Sequence, residues 1–335
     1  MVMREREKNN ANYPLVSIGI PTYNGDKRIA TALTSILKQD YPNLEVIISD
    51  NCSSDNTREV CTELCGHRRD VHYFRQKKNI GLVPNFEFVL SQASGDLFMW
   101  IADDDSLEPG ILTKYVDFLT RHSDYTLVSG QIRYWMEDRA IFDEKDLNME
   151  NGSRDIRVIQ FYSKVKYGAI YYGLMPRETA KKVPLGNRIG EDWHFLAKVA
   201  YLGKIKTLDC LGYNKKLNGL SKDFKQYAKI IGAPWFSANF PHIQIAMDAF
   251  SEIMSSPIYG ENGKRGGGPS KILLALSSSA SILINFYFRV YPFIMGGKLI
   301  RLLGFKKLKD KITTTTLLKK KASILIAATD VLTEL

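Results

Sequence analysis

The chain has 335 residues, 44% of them hydrophobic and 24% charged, with a formal net charge of +10. This composition excludes disordered, fibrous and collagen-like classes, and the length suits one large α/β domain with an appendage. Nine basic residues lie between Lys298 and Lys321 and only Asp310 opposes them, so the excess charge belongs to one end and suits an anionic surface.

In chain order, Leu15–Ile20 is a short apolar run closed by Pro21, which predicts a buried strand. Apolar residues at Ile29, Ala32, Leu33, Ile36 and Leu37 predict a helix over Asp26–Gln39, with Asp26 as its cap. Leu44–Ser49 reads as a second strand, Asp55–Cys65 as a helix, Val71–Phe74 as a third strand, Asn85–Ala93 as a helix and Leu97–Ala102 as a fourth strand. Pro109–Arg121 reads as a helix with proline in its first turn, and Tyr125–Ser129 as a fifth strand. Charges crowd Trp135–Asn151, which predicts an exposed excursion. Periodicity returns in a helix over Gly190–Leu202, followed by a short strand at Lys204–Leu208. Gly266-Gly267-Gly268-Pro269 reads as a linker.

Alternating strands and helices predict a parallel sheet covered on both faces, with any ligand at the carboxyl ends of the strands. Three polar clusters fall there: Pro21-Thr22-Tyr23-Asn24 after the first strand, Asp50 to Asp55 after the second, and Asp103-Asp104-Asp105 after the fourth. The three adjacent acids repel one another, and a hard divalent cation, Mg²⁺ or Mn²⁺, relieves that cost. The alternative is a solvated acidic turn ahead of the helix at Pro109. Asp50 suits an N–H donor of a base or a ribose hydroxyl, or else an Asx turn within its own loop. Glu191 and Asp192 open a helix, where either a capping role or a general base fits.

Together, Val16-Ser17-Ile18-Gly19-Ile20-Pro21-Thr22-Tyr23-Asn24, Ser35-Ile36-Leu37-Lys38-Gln39, Glu45 through Asp55, Asn79-Ile80-Gly81 with Asn85, Ala93-Ser94-Gly95-Asp96, the aspartate triplet and Glu191-Asp192 form an ordered set over roughly residues 14 to 225. This set resembles the inverting glycosyltransferases of family 2. Ile48-Ser49-Asp50-Asn51 and Trp100 through Asp105 are similar to the abequosyltransferase-like branch. The resemblance implies an α/β GT-A fold, with a Rossmann-like, mostly parallel central sheet and helices on both faces. It implies a nucleotide pocket lined by Pro21, Thr22, Tyr23 and Asn24, with Asp50 recognising the base and Asn51, Asn79, Gly81, Asn85 and Asp103 completing the set. Asp104, with Asp103 or Asp105, would stand for the family's Asp-x-Asp metal site; Asp104 and Asp105 are the expected ligands of Mn²⁺ or Mg²⁺. Asp192 would be the base, with Glu191 beside it. Ala102 stands where many members carry an acid. The implied reaction moves a sugar from a nucleotide-diphosphate sugar (UDP favoured, CDP or dTDP also compatible) to an acceptor hydroxyl, on a glycan or lipid-linked acceptor in bacterial surface polysaccharide assembly. The competing reading is an inactive nucleotide-sugar-binding scaffold on the same fold. A sugar nucleotidyltransferase is disfavoured, because no glycine-rich phosphate loop follows the first strand.

The expected organisation is a polar tail over 1–13, a catalytic domain over 14–225 (nucleotide half about 14–130, acceptor half about 131–225), and a helical, basic, membrane-associating region over 226–335. In Ser270–Arg289, Ser270, Ser277, Ser281 and Asn285 fall within about 80° of a helical wheel, and the apolar remainder is shorter than the roughly 20 residues a bilayer-spanning helix needs. This predicts a helix lying in the membrane interface, the alternative being a helix docked on the domain. The four cysteines fit no zinc ribbon or disulfide framework, and Met1–Asn12 lacks the apolar core of a signal peptide. The expectation is a cytoplasmic protein held peripherally at the inner face of an anionic membrane. No nucleic-acid recognition motif accompanies the basic residues, so nucleic acid is not an expected partner.

Overall fold

The computed structural model describes residues 13–66, 68–217, 224–260 and 269–286. Strand β1 (Val16–Thr22) is buried along its whole length, as a strand covered on both faces must be. It pairs in parallel with β2 (Leu44–Asp50) and β4 (Leu97–Trp100), and β2 pairs in parallel with β3 (Val71–Arg75). The antiparallel β8 (Met175–Pro176) completes a five-stranded sheet of order β3-β2-β1-β4-β8. Helix α1 (Ile29–Leu37) turns Ile29, Ala32, Leu33 and Ile36 into the core, which is the predicted face. Helices α2 (Thr57–Cys65), α3 (Leu82–Gln92) and α4 (Ile111–Arg121) follow in the predicted order. The Ala93-Ser94-Gly95-Asp96 turn serves the far end of this sheet. There the buried Glu45 carboxylate accepts from Ser17 Oγ, from Ser94 N at 2.6 Å and from Gly95 N at 3.1 Å, and these bonds pull its pKa down against the opposing effect of burial.

A second sheet, β5-β9-β6-β7, corrects two expectations. The predicted fifth strand belongs to this sheet and runs on as β6 (Tyr125–Met136), paired in parallel with β9 (Lys204–Lys216), itself longer than expected. Trp135–Asn151 is exposed over 136–141, as expected, but it is ordered rather than irregular: β7 (Arg139–Glu144) folds back on β6, and Leu147 and Met149 are buried beyond it. Its charges are used locally, Arg133 with Asp143 at 2.9 Å and Tyr134 with Glu144 at 2.8 Å, so a packed hairpin carries the composition of a loop. β5 (Ser106–Leu107) joins this sheet directly after the aspartate triplet.

Helix α5 (Arg154–Lys164) starts at Ser153, whose hydroxyl accepts from Ile156 N. After α6 (Arg177–Lys182), helix α7 (Glu191–Leu202) is buried on nearly every side. Buried Arg157 of α5 donates to the carbonyls of Ala200 and Tyr201 at the end of α7, satisfying groups that a helix terminus otherwise leaves open. The described part of the C-terminal region is helical: α8 (Phe224–Ile230), α9 (Trp235–Asn239), α10 (Pro241–Ser255) and α11 (Pro269–Asn285). The expected boundary at 225/226 falls inside α8. Helix α11 packs on α10 and α5, and Asn285 Nδ2 donates to the carbonyls of Tyr162 and Val165 at the end of α5. Its polar face is therefore turned inward. Ser278, Ser281 and Asn285 are buried, whereas Ile272, Leu273 and Leu276 are 43–55% exposed. The helix is thus docked on the domain, the alternative reading, but through its polar face, with its apolar face outward. Among the described residues no helix is long and apolar enough to cross a membrane. The N-terminal tail, the Gly266–Gly268 part of the linker and the basic stretch from Lys298 lie outside the described residues.

Candidate active site

The parallel register sets Thr22 opposite Asp50 at the carboxyl edge of the first sheet. Two loops meet there. Asn24, at φ 50°, donates its N–H to Ser53 Oγ at 2.8 Å, and its side-chain oxygen accepts from Ser54 N at 2.9 Å. Gly25 N donates to Thr57 Oγ1 at 2.8 Å. A Cβ on Gly25 would lie 2.7 Å from Asp103 Oδ2, so glycine is what lets the triplet approach this loop. Pro21 is buried within β1, and the Tyr23 side chain is exposed.

Asp50 is fully enclosed. Its oxygens accept from Ser53 N at 2.8 Å and Tyr73 OH at 2.6 Å, and Arg75 Nε stands 3.4 Å away. The geometry is the Asx-type turn joined by two groups from β3. Asn51, Asn79 and Gly81 form a second latch, in which Asn51 Nδ2 donates to Asn79 Oδ1 and to the Gly81 carbonyl. Asn85, buried on α3, accepts from Ser49 Oγ at 2.6 Å and donates to the Ser49 and Thr22 carbonyls. These residues converge as the sequence predicted, and they satisfy one another.

The three adjacent aspartates have three different surroundings. Asp103 accepts from Thr22 Oγ1 at 2.6 Å and from both arms of the Arg28 guanidinium at 3.0 and 3.3 Å. Asp105 is buried, with its oxygens given to Tyr213 OH at 2.8 Å, Lys216 N at 2.7 Å and Lys215 Nζ at 3.4 Å. Among the described residues Asp104 has neither hydrogen bond nor ion pair, and enclosure by the protein, with the Asp105 charge beside it, pushes its carboxyl up to about 6. No three His, Cys, Asp or Glu side chains among the described residues cluster to hold a metal by themselves. Asp104 still fits Mg²⁺ or Mn²⁺ as a single carboxylate ligand whose remaining positions go to phosphate and water. Asp105 does not fit, because its oxygens already serve β9.

Asp192 and Glu191 also part company. Glu191 belongs to a buried ionic cluster: Arg188 Nε at 2.7 Å, Lys198 Nζ at 3.9 Å, and Glu252 of α10 bonded to both cations at 2.6 and 3.0 Å. Asp192 faces the other way, toward Gly168, where a Cβ would come within 2.7 Å of its Oδ2. Gly168 has φ +70°, so the position favours glycine on backbone grounds as well. Burial raises the Asp192 carboxyl to about 7, in the range a general base needs.

Sequence reasoning missed Lys215. It stands 4.7 Å over the Tyr172 ring, which in turn stacks on Tyr213. Burial opposes its charge, yet Asp105, Tyr172 and Asp104 together hold its pKa above the ordinary value. Tyr172 lies within electrostatic reach of Lys215, Asp105, Asp104 and Asp192, so the strand-end acids and the helix-borne acid are gathered around one tyrosine. Trp100 of β4 stacks on Tyr171 at 5.0 Å, and Phe195 of α7 packs on both at 5.1 and 5.6 Å. That aromatic cluster braces the two sides. Arg28, the β3 pair Tyr73 and Arg75, Gly168 and Lys215 come from four separate segments, and no spacing in the chain signals their convergence.

The model of glycosyl transferase family 2 matches residues 17–183, from β1 through the triplet to the end of α6. The chain belongs to glycosyltransferase family 2. Asp192 and Lys215 lie beyond the matched residues of this family. EpsE of Bacillus subtilis is 34% identical over 116 residues, 34% of this chain and 42% of that protein. The GalNAc(5)-diNAcBac-PP-undecaprenol beta-1,3-glucosyltransferase of Campylobacter jejuni is 37% identical over 101 residues, 30% of this chain and 33% of that one. The chain thus spans less than half the length of these curated relatives. A crystal structure of S. aureus TarS 1-349 in complex with UDP-GlcNAc superposes with a TM-score of 0.57 at 19% identity, covering 84% of this chain and 75% of that one, which shows the GT-A fold.

Proposed function

We propose that the protein transfers a sugar, with inversion, from a nucleotide-diphosphate sugar to an acceptor hydroxyl. The observation that supports this reading is that the unpartnered Asp104 carboxylate and the raised Asp192 carboxyl both lie within electrostatic reach of Lys215 and Tyr172. The latched loops at residues 21–25 and 51–54 form a preorganised edge for the nucleotide, with Asp50 shaping its loop from beneath. Asp103, held by Thr22 and Arg28, presents a fixed acceptor edge to the ribose. Asp104 would hold Mg²⁺ or Mn²⁺, which when bound neutralises the charge that develops on the departing diphosphate. Asp192 takes the proton of the acceptor hydroxyl as its oxygen attacks the anomeric carbon. With Glu191 committed to Arg188 and Lys198, Asp192 alone is the base. Lys215 supplies a fixed positive charge between the two carboxylates.

A UDP-sugar is the favoured donor, since the TarS fragment of the same fold binds UDP-GlcNAc. The Campylobacter relative is named for a sugar chain on PP-undecaprenol, which supports an acceptor of that class, a glycan on a polyprenyl diphosphate, and with it bacterial surface polysaccharide assembly at the cytoplasmic face of a membrane. The test is release of nucleoside diphosphate from a panel of UDP-, CDP- and dTDP-sugars with Mn²⁺, using Asp192→Asn as the background. Turnover of at least one donor above that background is expected. Binding of donors with no turnover, with or without acceptor, would favour a nucleotide-sugar-binding scaffold.

A further inference from the structure

Helices α10 and α11 run antiparallel. His242, near the start of α10, stacks on Phe286 at the end of α11 with ring centroids 3.4 Å apart, and further along Ser279 Oγ donates to the Ala246 carbonyl at 2.9 Å. Small residues on the facing sides, Ala246 and Ala249 against Ala275 and Ser279, let the two backbones approach closely. Each helix rests on the body by one face. In α10, Ile245 lies where a Cβ on Gly190 would sit, and Glu252 pairs with Lys198. In α11, Leu274, Ser278, Ser281 and Asn285 are buried toward α5.

Two neighbouring antiparallel helices seated this way present their opposite faces together. On α10 that outer stripe is Phe240, Ile243, Met247 and Phe250, spaced by three and four residues. On α11 it is Ile272, Leu273, Leu276 and Ala280. Phe240, Met247, Phe250, Ile272, Leu273 and Leu276 are each more than a third exposed. Trp235, 73% exposed, sets its ring 6.2 Å from Phe240 at the margin of the stripe. The charged residues of α10 are Asp248 and Glu252, and that of α11 is Lys271; none lies on the outer stripe. An uncharged apolar face shared by two neighbouring helices, edged by an exposed tryptophan, is unlike an ordinary protein surface.

We propose that this face lies in the headgroup–acyl boundary of an anionic bilayer. This inference rests on the reading of the protein as peripheral to a membrane and specifies which surface makes contact. Charge decides between partners. The chain continues from α11 into nine basic residues between Lys298 and Lys321, which attract anionic lipid and would repel the same stretch on a second copy. Ile245, on the inner face of α10, touches the turn at Gly190 that leads into Asp192, so the proposed contact face and the helix that carries the proposed base are directly connected.

The experiment is flotation of the full chain with vesicles of phosphatidylcholine alone and with phosphatidylglycerol added, comparing the wild type with Met247→Glu/Leu276→Glu and with a Lys319→Gln/Lys320→Gln/Lys321→Gln variant. Trp235 is followed by quenching with brominated lipids against a Trp235→Phe control. The wild type is expected to float with anionic vesicles, with Trp235 quenched. The double glutamate variant should bind at least tenfold more weakly while keeping its melting temperature and its nucleotide binding. The lysine variant should lose the preference for anionic lipid and keep residual, salt-resistant binding. Undiminished flotation of the double glutamate variant, or an unquenched Trp235, would overturn the assignment of this face and leave membrane association to the basic stretch. A melting temperature lowered by the glutamates, or a wild-type dimer that they dissociate, would show that residues 287–335 or a second copy covers the face, and would overturn the proposal too. Absence of wild-type flotation would instead remove the membrane reading itself.

Discussion

The carboxyl edge of the first sheet and the shell formed by α7, β9 and α10 treat their polar groups in opposite ways. At the edge, Asp50, Asn51, Asn85 and Asp103 are each closed by partners from neighbouring loops. Across the cleft, burial holds Asp192 away from its ordinary protonation, while the charges behind it, Glu191 and Lys198, are balanced in a sealed cluster. A satisfied network is rigid and binds without rearranging; a carboxyl denied solvent is reactive. Under the proposed function one wall binds and the other transfers the proton, with Asp104 as the exception on the binding wall.

The largest expected effect tests that exception. Asp104→Ala should abolish transfer and the nucleotide binding that depends on Mn²⁺ or Mg²⁺, and EDTA should do the same to the wild type. Asp105→Asn, by contrast, should lower stability by about 1–3 kcal/mol, seen as a lower melting temperature, with metal dependence retained. Exchange of these two phenotypes would exchange the two roles.

Next comes the opposite wall. Asp192→Asn should lower kcat by ~10²–10⁴, with donor affinity by calorimetry unchanged. The base acts as carboxylate, so kcat/KM should fall about tenfold per pH unit below about 7 in the wild type. Stability moves the other way. A carboxyl whose folded pKa is raised destabilises the fold once it ionises, a penalty absent below the unfolded value and complete above about 7. Asp192→Asn should therefore raise the melting temperature at pH 8 and leave it unchanged near pH 3. A uniform shift at both pH values would point to packing instead.

A smaller effect sharpens the comparison from behind. Glu252→Gln strips Lys198, whose side chain is 2% exposed, of its nearer anion. The expected cost is about 3 kcal/mol, measured by denaturant titration, with the pH profile of turnover unmoved. The smallest concerns Gly168, where an added methyl would displace the Asp192 carboxylate. Gly168→Ala should lower kcat about tenfold to a hundredfold while KM for donor stays the same; equal loss in both would mean that the whole cleft had shifted.

The first wall was legible in the sequence because a parallel sheet collects its functional residues directly after strands, so that position along the chain reports position in space. The second was legible only at Asp192. Lys215 lies on a strand that reads as ending at Leu208, and its role depends on where β9 crosses the triplet. The hairpin at Arg139–Glu144 was hidden because its charges pair with each other and leave a loop-like composition. For α11 the wheel gave the polar face but not that this face packs on the body. Serine and alanine serve close helix contact as readily as they serve water, and amphipathicity alone does not say which side the body occupies.

The aromatic cluster of Trp100, Tyr171 and Phe195 acts as a ruler. It fixes the span between the strand that leads into the aspartate triplet and the helix that begins at Glu191, the elements that carry the proposed metal ligand and the proposed base, and it does so with rings that cannot telescope as aliphatic chains can. The hydrophobic core at this point is thus part of the enzyme's calibration. Trimming the fully buried Phe195 to alanine should cost about 3–5 kcal/mol of stability and also uncouple donor cleavage from acceptor glycosylation.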